Sequence, residues 1–155
     1  FYNLIPCCTY CNSSVKGNLV LNPELDIHPY VIESEKDDFS FGYYFENSID
    51  EYVIYLKKSK KSSGKIIRTL KKLKIDQMYN AHIPELVDMI KLKKAYGIEY
   101  INNMASFFPN TGLTERETFR ILMGIENESR NHHLQPMSKF KSDILKDLGI
   151  INNDL

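Results

Sequence analysis

Asn3-Leu4-Ile5-Pro6-Cys7-Cys8-Thr9-Tyr10-Cys11-Asn12, closed by Lys16-Gly17, gathers two carboxamides, a Cys-x-x-Cys pair and a lysine into one short stretch. Such a density of polar ligand atoms beside apolar Leu4, Ile5 and Pro6 points to chemistry or to a metal. Cys8 and Cys11 have the spacing of half a zinc site, since structural zinc takes four ligands. The alternative is that they are small buried hydrophobes, as Cys7 is expected to be. Lys16-Gly17 reads either as a helix end with a glycine C-cap or as a lysine placed to meet a phosphate.

Outward from this stretch, Asn22-Pro23-Glu24-Leu25-Asp26-Ile27-His28-Pro29-Tyr30 is bounded by prolines and reads as a loop, with His28 either structural or close to a metal. Phe39 to Phe45 and Glu51 to Lys57 are rich in aromatic and β-branched residues and read as two strands. The five residues Glu46 to Asp50 between them suit a hairpin loop. The hairpin is scaffold on this reading; stacking of its aromatics on bases is the alternative. Beyond a basic loop, Lys65 to Leu73 places Ile66, Ile67, Leu70 and Leu73 on one helical face and the cations on the other.

Further on, a helix is expected to begin near Pro84 or Glu85, with Leu86, Val87, Ile90, Leu92 and then Tyr96, Ile98, Ile101 and Met104 facing a core. Thr114-Glu115-Arg116-Glu117 has the form of a capping box that opens another helix, through Phe119, Ile121, Leu122 and Met123. Ser138 is expected to cap a last amphipathic helix, with Phe140, Ile144, Leu145 and Leu148 inward and Gly149 at its end. His82 reads as a local structural group, and His132-His133 as part of a polar loop rather than a ligand pair.

The 155 residues suffice for one domain, or for a small motif and a helical domain. No apolar run approaches the ~20 residues of a membrane span, and no signal peptide is visible, so the expected location is the cytoplasm. The net charge of zero conceals an asymmetry. Lys57, Lys58, Lys60, Lys61, Lys65, Arg68, Lys71, Lys72 and Lys74 fall within 57–74 without a single acid, and the rest of the chain carries a net charge of −9. Charge separated in this way suggests a local polyanion site, centred on Lys65, Arg68, Lys71 and Lys72.

The opening stretch resembles the second half of an HNH (ββα-metal) nuclease motif, in which a strand and a loop lead into a short helix. The resemblance implies that Asn3 anchors the loop and that Asn12 binds a catalytic Mg²⁺ or similar ion. It also implies that Lys16 lies near a phosphate and that the general-base His stands upstream of residue 1. A second Cys pair upstream would complete a structural Zn²⁺ site with Cys8 and Cys11. Leu73 to His82 and Pro136 to Leu145 are similar to the helical region of defence-associated HNH proteins, including Septu-type nuclease subunits that work beside an SMC/ABC-like ATPase. The expected protein is therefore α+β: a partial HNH motif and hairpin over 1–57, a basic loop and helix over 58–74, and a helical domain over 75–155. The expected activity is endonucleolytic hydrolysis of nucleic acid, DNA favoured, in anti-phage defence. The alternative is a non-catalytic nucleic-acid-binding or assembly subunit with a zinc knuckle.

Overall fold

The computed structural model describes residues 9–27, 39–58, 63–95, 103, 117, 120, 121, 123–125, 132 and 135–151, with the backbone alone at 10–12. The layout is α+β, with one two-stranded antiparallel sheet and several helices. Two compact units are built from interleaved segments. Phe1–Phe39 with Lys58–Asn80 forms one, and Ser40–Lys57 with Ala81–Leu155 forms the other.

The first unit begins, in its described part, with a π-helix, Tyr10–Lys16. Gly17 follows at φ 47°, a left-handed conformation that glycine adopts at little cost, and Leu19 N–H donates to the Lys16 carbonyl (2.8 Å). The C-cap reading of Lys16-Gly17 thus describes the backbone. At 22–26 the chain makes a tight turn. The Asn22 side chain accepts from Glu24 N–H (2.8 Å), and Asp26 N–H donates to the Asn22 carbonyl (2.7 Å).

Helix α1 spans Gly64–Lys72. It starts where the Ser63 hydroxyl accepts from Ile66 N–H (3.4 Å), which satisfies one of the free N–H groups of the first turn. Ile66 and Leu70 are buried and Ile67 and Leu73 half-buried, so the apolar face falls where the spacing places it. Lys74, at φ 48°, breaks the helix. A separate short helix, α2, Ile75–Asn80, follows and packs on α1. Its Asn80 amide donates back to the Asp76 carbonyl (2.8 Å).

Strands β1, Phe39–Glu46, and β2, Glu51–Lys58, form the expected hairpin, which belongs to the second unit except for its end residues Phe39 and Lys58. Its loop closes through Ile49 N–H to the Glu46 carbonyl, and the Glu46 carboxylate accepts from both Ser48 N–H and its hydroxyl. Helix α3 runs Ile83–Ala95 and begins one residue before Pro84, with Leu86 and Ile90 buried. The His82 ring lies 3.3 Å from the Glu85 carboxylate at this helix start, which fits a local structural role. Burial works to raise the Glu85 carboxyl, but its own backbone N–H and His82 outweigh that and hold it lowered.

Helix α4, Ser138–Asp147, carries Phe140, Ile144 and Leu145 into the core, and Leu148 is buried just beyond its end. One expectation is corrected here: Ser138 does not cap this helix. Met137, at φ 60° and without a side-chain bond to the helix, occupies the cap position, and Ser138 is the first helical residue, buried. The left-handed residue turns the chain into the helix one step earlier than the serine suggests. At the other end Gly149, at φ 69°, donates to the Lys146 carbonyl, and Ile150 N–H donates to Leu145 (both 2.9 Å). This pair of bonds is a Schellman ending.

The hairpin is tied to α4 through side chains spaced along one helix face. Phe140 meets Phe41 edge to face, with centroids 5.4 Å apart. Asp143 accepts from Phe41 N–H (2.9 Å), and Asp147 pairs with Lys57. The opposite side of the hairpin has Tyr44 and Tyr55 exposed, their rings 5.9 Å apart. A Cβ at Gly42 would meet the Lys57 side chain and stand 2.8 Å from the exposed Tyr55 ring, so a substitution there would displace both side chains.

The capping box at Thr114–Glu117 lies outside the described residues except for Glu117, as do the core positions expected at 96–104. Ile121 and Met123 are helical as expected, Ile121 exposed, whereas Phe119 and Leu122 lie outside. No helix among the described residues is long and apolar enough to cross a membrane.

Candidate functional site

The described part of the motif segment and the basic helix belong to the same unit, and one carboxylate joins the turn that follows the motif to the helix. Asp26 is 1% exposed, although it sits in a turn of polar residues. Its Oδ2 accepts from Lys72 Nζ (2.6 Å) and from Asn22 N–H (2.8 Å), and its Oδ1 accepts from Arg68 Nε (3.1 Å). The Lys72 bond, then the Asn22 N–H, hold the Asp26 carboxyl below the usual carboxylate range, against burial, with the charges of Lys72 and Arg68 adding to the effect. A buried carboxylate with this set of donors is an ionised group that the surrounding structure satisfies.

Two further bonds join the same elements. Lys72 Nζ also donates to the Val20 carbonyl (3.4 Å), and Ile27 N–H donates to the Thr69 hydroxyl (2.9 Å). That hydroxyl donates in turn to the Lys65 carbonyl (2.9 Å), so buried Thr69 serves both chains. Segment 20–27, which follows the π-helix, is thereby fixed along α1.

The expected site residues are distributed as follows. Asn3 and Cys8 lie outside the described residues, as does His28. Asn12 stands in the first turn of the π-helix and Cys11 beside it, each placed by its backbone alone. Lys16, the last residue of that helix, is exposed. Lys65, Arg68, Lys71 and Lys72 all lie on α1, but they are not equivalent. Arg68 and Lys72 are bound to Asp26, whereas Lys71 is exposed and has no ion pair among the described residues.

An Asn carbonyl is an oxygen donor of the type that Mg²⁺ accepts, and a thiolate pair is the type that zinc accepts. Among the described residues, no three His, Cys, Asp or Glu side chains are grouped as a metal site. Asp26 is the residue that sequence reasoning missed. No local pattern marks it, since the same turn holds a second acid, exposed Glu24.

Compared with family models, with curated proteins and with solved structures, the chain matches none.

Proposed function

We propose that this chain is a metal-dependent endonuclease of the HNH type, cutting nucleic acid, DNA favoured, as the effector of an anti-phage defence complex with an SMC/ABC-like ATPase. The observation that carries the reading is the joining of segment 20–27 to α1 around Asp26. It keeps the segment that follows Asn12 and Lys16 beside the basic helix α1. Substrate binding and cutting would then belong to one unit. A π-helical turn at Asn12 adds support, because such turns recur at functional sites.

In this reading Asn12 offers its side-chain carbonyl to the metal, Asn3 secures the loop, and Lys16 and α1 hold the phosphate backbone. The general base that the resemblance calls for would take the proton from the attacking water. A bound divalent ion would neutralise charge on the scissile phosphate and its leaving oxygen. The test is Asn12→Ala in the full-length protein. Mg²⁺-supported plasmid nicking is expected to fall at least ~100-fold, since a direct ligand supplies several kcal/mol to the transition state, while the melting temperature is unchanged. Turnover near that of the wild type would remove Asn12 from the site.

A second reading, a nucleic-acid-binding or assembly subunit with a zinc knuckle at Cys8 and Cys11, draws support from a specific observation. Part of the positive charge of α1 is matched internally by Asp26. This reading predicts duplex binding without cleavage, about one zinc per chain by elemental analysis, and co-elution with an SMC/ABC-like ATPase when the two are co-expressed.

A further inference from the structure

Asp26 treats its two cationic partners differently. The Lys72 ammonium is directed inward, to Asp26 Oδ2 and to the Val20 carbonyl, and its side chain is 23% exposed. Arg68 gives Asp26 only its Nε, and its side chain is 49% exposed. An arginine held at Nε has its planar group fixed in orientation while both terminal amino groups remain available. Those two groups form the fork that matches phosphate oxygens two at a time. Lys65 and Lys71 stand three residues to either side of Arg68, which makes them its neighbours on the helix surface.

We propose that Arg68 is the main phosphate-binding side chain of α1, that buried Asp26 is its positioning residue, and that Lys72 serves the fold. The ligand is the phosphodiester backbone of nucleic acid, so the inference rests on the nucleic-acid reading above. A surface lysine or an unrestrained arginine must be ordered when it meets a phosphate, whereas Arg68 is ordered beforehand by the carboxylate.

Substitution of Asp26 distinguishes positioning from simple charge, because the two have opposite signs. If Asp26 were only a negative charge beside a basic face, Asp26→Asn would tighten binding to any polyanion. If it positions Arg68, Asp26→Asn weakens binding despite the added net positive charge.

The experiment measures the affinity of the full-length protein for a short labelled DNA duplex across a salt series, with circular dichroism confirming that each variant is folded. Arg68→Ala is expected to weaken binding on the order of tenfold, as for loss of a charged hydrogen bond, and to lower the slope of log affinity against log salt by about 0.9. Arg68→Lys, which keeps the charge but loses the fork, is also expected to weaken binding, and Lys71→Ala to weaken it less than Arg68→Ala. Lys72→Met should lower the melting temperature and leave the salt slope unchanged.

Tighter binding by folded Asp26→Asn, or wild-type affinity in Arg68→Lys, overturns the proposal. Should Asp26→Asn fail to fold, the order of Arg68→Ala, Arg68→Lys and Lys71→Ala decides alone, and a Lys71 loss equal to that of Arg68 overturns it. A wild-type protein that binds no duplex even at low salt overturns the nucleic-acid reading itself. Normal wild-type binding with unaffected Arg68 variants overturns only this inference.

Discussion

Each of the two units is stabilised by different physics. In the unit of Ser40–Lys57 and Ala81–Leu155, stability resides in apolar side chains withdrawn from water: Phe41, Ile54, Leu86, Phe140, Ile144 and Leu145 are all buried. In the other unit the described apolar core is small, Ile66 and Leu70, and buried Asp26 and Thr69 supply bonds between segments distant in sequence. Apolar burial is nondirectional and does not change with pH. An ionised cluster is directional, fixes one register of the segments it joins, and depends on the protonation of one group. The difference shows how a segment poor in apolar residues can still be held against a helix.

The largest expected effect tests the apolar side. Phe140→Ala removes the ring that meets Phe41 and should cost about 3–5 kcal/mol, read as a lower midpoint in urea unfolding. A loss below ~1 kcal/mol would mean that the hairpin is supported by something other than this contact.

The next tests the ionic side through pH. The folded Asp26 carboxyl titrates below its ordinary value of 3.8, so protons bind it more readily in the unfolded chain. Its contribution is complete above that value and disappears as pH falls through the lowered pKa of the folded state. Thermal melts of wild type and Asp26→Asn should therefore differ most near neutral pH and converge in strong acid. A constant gap down to pH ~2 would show that the charge of Asp26 is not what stabilises the cluster.

A smaller effect is expected at the cap of α1. Ser63→Ala should cost about 1 kcal/mol, and Ser63→Asp should restore most of it. The smallest concerns the exposed pair Lys91–Asp88, 3.9 Å apart on α3: Lys91→Ala should change stability by less than ~0.5 kcal/mol. A larger change at either site would place more weight on polar surface bonds than the contrast between units allows.

What the sequence made legible follows from period and punctuation. The hairpin, the apolar face of α1 and the inward side of α4 were readable because Phe39 to Lys57 and Ile66 to Leu73 repeat at strand and helix spacing, and Gly149 marks an end. Helix α2 was missed, because Lys74 in a left-handed conformation has no compositional signature. Ser138 misled for the related reason that Met137, not a polar residue, takes the cap position. Asp26 was illegible in a stronger sense, since its partners Arg68 and Lys72 lie 42 and 46 residues away and no local pattern announces them. Within the candidate site, the joining of segment 20–27 to α1 and the unequal roles of the helix's cations did not show in their spacing.

The bond from Phe41 N–H to Asp143 spans 102 residues of sequence. A lone two-stranded hairpin is at best marginally stable in water. At synthesis rates of about 5–20 residues per second, the hairpin would leave the ribosome roughly 5–20 s before the helix that supports it. During that interval its strands, with exposed Tyr44, Phe45 and Tyr55, are open to pairing with other nascent chains. The demand this chain makes on its cell is thus one of timing: whatever holds the hairpin apart from its neighbours must do so until α4 has been made.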